Sequence, residues 1–171
     1  MDMTKSVAHS LRHARHDFLN ELQLISMYLD LGKPEKAQAI IRAHAEAAVQ
    51  LSHLSALHMP QLEEWLLVSK WRFPEIRFVL EVSARTGEPE LDGAIARTLE
   101  AFFQGIRADL DPYVEYVCTI SIFGEGPRFS AELSLNGDWA RLEFPEESAI
   151  NATKACEGDG AKWTIRAQME G

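Results

Sequence analysis

The sequence predicts an α+β fold, with a helical hairpin at the N-terminus and a mixed α/β domain behind it. Three observations carry that expectation. Leu11, Phe18, Leu22, Ile25 and Leu29 recur at steps of seven, four, three and four, the period of an amphipathic helix entering a bundle. Behind Met59-Pro60 the pattern changes to short segments dense in β-branched and aromatic residues, such as Ile76–Val82. Charge divides in the same region. All six histidines and a balanced set of six basic and six acidic residues lie within the first 58 positions, so the whole net charge of −9 falls on the remainder.

The first helix is expected to start between Thr4 and Ser10, either of which can cap it, and to run to about Leu31. Gly32 suits the position just past a helix end and Pro34 the first turn of the next helix, so Leu-Gly-Lys-Pro-Glu reads as a tight antiparallel connection. The second helix is placed from Pro34 to about His58, with Ala37, Ile41, His44, Ala48 and Leu51 as its stripe. His44 therefore reads as a packed or partly buried histidine; His53 and His58 have no nameable partner. A short helix is expected over Gln61–Trp71, a strand over Ile76–Val82, a loop from Arg85 to Glu90 and a helix over Leu91–Ile106. Val114–Phe123 and Arg128–Leu135 flank Gly124-Glu-Gly-Pro and read as a β-hairpin. Trp139–Phe144 is expected as a short strand or an edge, Glu146–Ala155 as a helix and Trp163–Met169 as a last strand. The domains are accordingly drawn at 1–59 and 60–171.

One hairpin cannot bury its own seam. Each Leu or Phe left in water forgoes roughly 1.5–3 kcal/mol of burial. Two hairpins pairing into a four-helix bundle remove that loss, so the chain is expected to be a homodimer.

With 171 residues and 46% of them hydrophobic, the chain can fill one substantial core or two small ones. No apolar run approaches the ~20 residues that span a bilayer, and no signal peptide is expected at the start. Cys118 and Cys156 form neither a disulfide framework nor a zinc spacing, and are read as free thiols of a cytoplasmic protein. An acidic chain lacks the basic footprint that nucleic acids require. Neither nucleic acid nor membrane is an expected partner.

The chemistry-bearing stretch is Leu11–Ile25. With Phe18 at heptad position d and Leu22 at a, His16 falls at an outward b position, roughly 130° from the seam at about 100° per residue. Asp17 follows it directly, Asn20 lies one turn on, and Gln23 two. An exposed His-Asp pair alone is most often inert. The longer string Leu-Arg-His-x-Arg-His-Asp-x-x-Asn-x-Leu-Gln-Leu-Ile closely resembles the phospho-accepting helix of the sporulation initiation phosphotransferase B family, and more loosely the phosphotransfer helix of sensor histidine kinases. The close match covers about fifteen residues. The resemblance implies that His16 is the phosphorylated residue and that the second domain is a degenerate kinase-ATPase-like α/β sandwich. It also implies that Asp17 accepts from Nδ1–H of His16, leaving Nε2 to attack, with Asn20 set to meet the phosphoryl group or the partner. Arg12, His13, Gln23, Leu24 and Met27 flank that site as the expected partner-binding residues. Leu24, Met27 and Leu31 stand at c and f positions where a solvated helix should be polar.

The second domain lacks what a kinase needs. The helix expected over Leu91–Ile106 has no asparagine to hold Mg2+, and Asp92-Gly93 and Gly158-Asp159-Gly160 are isolated turns. No phosphate-cradling loop or dinucleotide fingerprint occurs. No cofactor is expected on this chain, and Mg2+ used in transfer should come from the partner. The expected function is a phosphorelay phosphotransferase. It would move a phosphoryl group from the aspartate of a donor response-regulator receiver domain, through His16, to the aspartate of an acceptor. The alternatives are a dimeric, non-catalytic regulator-binding module and a degenerate sensor kinase. His9, His13 and His16 share one helix face at spacings that can hold a metal, but no cysteine or second shell supports a site, and none is expected.

Overall fold

A computed structural model describes residues 7–125 and 128–167. The chain divides into two compact units, Met1–Val49 and Gln50–Gly171. The helices are α1 (Val7–Asp30), α2 (Pro34–Ser55), α3 (Pro60–Arg72) and α4 (Asp92–Ile106). The strands are β1 (Ile76–Val82), β2 (Tyr116–Phe123), β3 (Ser130–Asn136), β4 (Ile150–Glu157) and β5 (Gly160–Ala167). Thr4, Gly126, Pro127, Gln168 and Met169, which the expected elements included, lie outside the described residues.

The first unit is the hairpin. Helix α1 ends because Gly32 takes a φ of 65°, which a residue without Cβ adopts freely. Lys33 N–H then reaches back to the Tyr28 carbonyl at 2.8 Å and Gly32 N–H to Leu29 at 3.0 Å, satisfying carbonyls that the helix end would strand. Between the helices Glu21 pairs with His44, and the Lys36 ammonium lies 5.5 Å from the centre of the Tyr28 ring. His44 is thus an exposed partner of Glu21, and the packed or partly buried position read from the stripe is corrected. Ala37 is buried and Ile25, Tyr28 and Ile40 are half-buried. The seam residues Leu11, Phe18, Leu22 and Leu29 are 64%, 56%, 46% and 55% exposed.

The second unit is a five-stranded mixed sheet in the order β1-β2-β3-β5-β4. Strands β1 and β2 are parallel, with Ile76 opposite Tyr116, because α4 crosses between them; the other pairs are antiparallel. Alternation in β2 turns Tyr116, Cys118, Ile120 and Ile122 inward. They meet Leu133, Trp163 and Ile165 from the neighbouring strands and Ile95, Leu99, Phe102 and Phe103 from α4 in one core. Phe103 packs against Trp65, Phe73 and Phe78 with ring centres 5.1–5.6 Å apart. The last residues of α2 belong here. Gln50 Oε1 accepts from Val82 N–H at 2.6 Å, His53 Nδ1 stands 3.2 Å from the Val82 carbonyl, and Leu54 and Leu57 enter the core. Both cysteines are free; burial pushes the Cys118 thiol far above its ordinary range.

Two expected elements are corrected. Glu146–Ala155 was expected as a helix, but Ile150–Glu157 is strand β4. Gly158, at φ 59°, sits first in a two-residue turn between the paired Glu157 and Gly160, the place where a type II′ hairpin needs glycine. The turn commits its flanks to pairing, and alternation then carries Ile150 inward and leaves Asn151 exposed. Trp139–Phe144 is not a strand. Trp139 is buried against Tyr116, its indole N–H donates to the Asn136 carbonyl at 2.8 Å, and the Lys154 ammonium on β4 donates to the Ala140 and Leu142 carbonyls, both at 2.8 Å. Side chains and a lysine, rather than a ladder, satisfy this segment's backbone.

Candidate functional site

Helix α1 runs unbroken from Val7 to Asp30, so every predicted site residue sits on one rigid rod. His16 is exposed, its side chain 72% accessible, as its outward b position requires. Residues four apart on a helix are neighbours, and that brings Asn20 to His16: the Asn20 amide nitrogen stands 3.2 Å from His16 Nδ1. Asp17 Oδ1 stands 3.8 Å from the same nitrogen, outside hydrogen-bond reach but close enough to pair with a charged ring. The expected partner of Nδ1 is therefore corrected: Asn20 holds that position, and Asp17 stands behind it as a carboxylate. The i to i+4 spacing carried the signal, and adjacency in sequence misled, because consecutive residues on a helix point about 100° apart.

The arrangement defines what the imidazole can do. With its N–H toward Nδ1, Asn20 donates and the ring proton sits on Nε2. An exposed amide turned by half a rotation presents its carbonyl oxygen instead, accepts from Nδ1–H, and leaves the Nε2 lone pair open to solvent. A carboxylate 3.8 Å from Nδ1, as Asp17 provides, can compensate positive charge on the ring.

Of the flanking residues, Arg12 lies one turn before His16 and is exposed, as are Arg15 and Gln23. Leu24 and Met27 are 37% and 45% exposed, and Leu31 is open too, so a partly apolar strip continues along the helix beyond the histidine. His13 is not turned toward His16. Its Nε2 lies 2.9 Å from Nε2 of His9, with the two rings edge to face and 4.4 Å between centres. The three-histidine face thus divides into a pair and a lone His16. No group of three or more metal-ligating side chains occurs among the described residues, and no described helix is long and apolar enough to cross a membrane.

In the second unit, Asp92 of the Asp92-Gly93 pair has a structural task. Asp92 is buried, and its two carboxylate oxygens accept from Gln61 N–H at 3.0 Å and Leu62 N–H at 2.8 Å, capping the start of α3. Glu100, farther along α4, takes Trp65 Nε1–H at 2.9 Å and the Arg72 guanidinium. Asp92 and Glu100 thus tie α4 to α3.

Comparison with known proteins bears on both units. Residues 1–57 match the family described as Sensor_kinase_SpoOB-type, alpha-helical domain. The chain is also similar to Sporulation initiation phosphotransferase B of Bacillus subtilis (strain 168), with 36% identity over 126 residues. That alignment covers 73% of this chain and 66% of the relative, slightly under two thirds of its length.

Proposed function

Since this chain belongs to the sporulation initiation phosphotransferase B family, we propose that it is a phosphorelay phosphotransferase working through His16. The observation that carries this reading is the exposed imidazole whose Nδ1 is engaged by Asn20, on an uninterrupted helix. In the proposed step, Nε2 of His16 attacks the phosphorus of a donor regulator's aspartyl phosphate. A P–N bond forms, the P–O bond to the aspartate breaks, and the aspartate leaves as carboxylate. The ring keeps its Nδ1 proton and gains positive charge, which Asp17 at 3.8 Å steadies. Transfer to an acceptor aspartate is the same step reversed. Phosphoramidate and acyl phosphate are both high in energy, so the helix must supply position and charge rather than driving force. Arg12, one turn away, supplies a cation for the phosphoryl oxygens. Mg2+ belongs to the acidic pocket of the receiver domain in this scheme.

The same reading takes two hairpins as one working unit. Leu11, Phe18, Leu22 and Leu29 remain exposed in the single chain, and a second hairpin laid against them gives a four-helix bundle with His16 on its outside. A second reading, a regulator-docking module without chemistry, is favoured by the exposed Leu24, Met27 and Leu31, which serve docking whether or not phosphate moves. A two-regulator relay assay separates the two. Label should pass from the first receiver domain to the second only when this chain is present, and not with His16→Gln.

A further inference from the structure

We propose that His9 and His13 form a two-imidazole chelate for a divalent transition cation of the Ni2+ or Cu2+ class. The two residues are four apart on α1, both half-buried, and their Nε2 atoms face each other at 2.9 Å with the rings edge to face. Without metal, that distance is an N–H···N hydrogen bond in which one ring donates and the other accepts. With metal, the two rings turn on their side-chain torsions so that both lone pairs meet at one ion. Metal–imidazole bonds are about 2.0–2.1 Å, so nitrogens at this spacing subtend roughly 90° at the ion. That angle belongs to neighbouring corners of a square-planar or octahedral shell, and imidazole suits Cu2+ and Ni2+ in such geometry. Tetrahedral Zn2+ would need the rings spread by a few tenths of an ångström. Water completes the shell on the solvent side.

His13 and His16 are three residues apart on this helix, hence neighbours on its surface. A hydrated dication on the pair stands where a receiver domain approaching His16 must pass, and it adds positive charge beside the phospho-accepting ring. Occupancy therefore slows transfer, a consequence that rests on the phosphotransfer reading, whereas the site itself does not.

The test is calorimetric titration of the full chain with Ni2+ at neutral pH, using wild type, His9→Gln, His13→Gln and His58→Gln. One equivalent per chain is expected. Loss of a ligand should cost no less than loss of a ligand's supporting partner, so each of the first two variants should weaken binding by at least about tenfold. His58→Gln should leave it unchanged. Helix content by circular dichroism should be the same in all four. Wild-type affinity in His9→Gln or His13→Gln, or a loss shared by His58→Gln, overturns the site. In the relay assay, Ni2+ should slow wild type and not His9→Gln. Equal rates with and without Ni2+ in wild type overturn the regulatory consequence, while absence of relay with Mg2+ present and no Ni2+ added counts against the phosphotransfer reading and not against the chelate.

Discussion

Asn20 lies 3.2 Å from Nδ1 of His16, closer than Asp17, whose carboxylate stands 3.8 Å away. In the proposed transfer the two polar neighbours have separate tasks, Asn20 in fixing the neutral tautomer and Asp17 in steadying the charged ring. His16→Gln should abolish transfer. Asp17→Asn should slow it by ~10²-fold or more, because a positioned charge at the reacting ring is lost. Asn20→Leu should cost ~10-fold or more and should be partly restored by Asn20→Gln, which keeps an amide. His13→Gln should retain most of the rate without added metal. Single-turnover transfer rates measure all four.

The exposed seam of α1 yields the second prediction. Leu22→Asp with Ile25→Asp places charges where a partner hairpin would pack, and unpaired buried charge is costly. Sedimentation should show wild type as a dimer at micromolar concentration and the double variant as monomer or unfolded chain. A monomeric wild type would sink the four-helix bundle.

Met27 is 45% exposed on the outer face of the same helix. Met27→Lys should weaken binding of a receiver domain by ~10-fold, as loss of an apolar anchor does at small interfaces, and leave the melting temperature nearly unchanged. A fall of many degrees would mean that Met27 packs within the fold instead.

In the second unit, Asp92 accepts two backbone N–H groups at the start of α3. Asp92→Ala strands both donors next to the core and should destabilise the protein by about 1–3 kcal/mol. Asp92→Asn, which keeps one acceptor oxygen, should lose less. Urea unfolding followed by tryptophan fluorescence reads both, since Trp65 and Trp163 are buried beside α3 and α4.

Periodicity made the hairpin and much of the sheet legible. The seven-four-three spacing of Leu11, Phe18, Leu22 and Ile25 placed α1, and Gly32 marked its end, because the helix interior and its left-handed cap have strong local signatures. The same spacing set His16 outside. Glu146–Ala155 misled because its alanines favour helix locally, while the partner strand β5 and the Gly158 turn that decide it lie beyond the window. His53 was silent for a related reason. Its partner is the Val82 carbonyl, 29 residues away, and no local pattern reports a side chain that meets a strand end. At the candidate site, adjacency in sequence pointed to the wrong neighbour for Nδ1. Asp17 is adjacent to His16 in the chain, yet helix geometry gives Nδ1 to Asn20.

The central claim is that His16 takes phosphate without ATP. The direct measurement is to mix the protein with a receiver domain carrying labelled aspartyl phosphate and test the label that arrives on this chain. It should be labile in acid, stable in base, and located by peptide mapping at His16. Label that is absent from the chain, is acid-stable, or maps to His13 with His16→Gln still labelled would contradict the account.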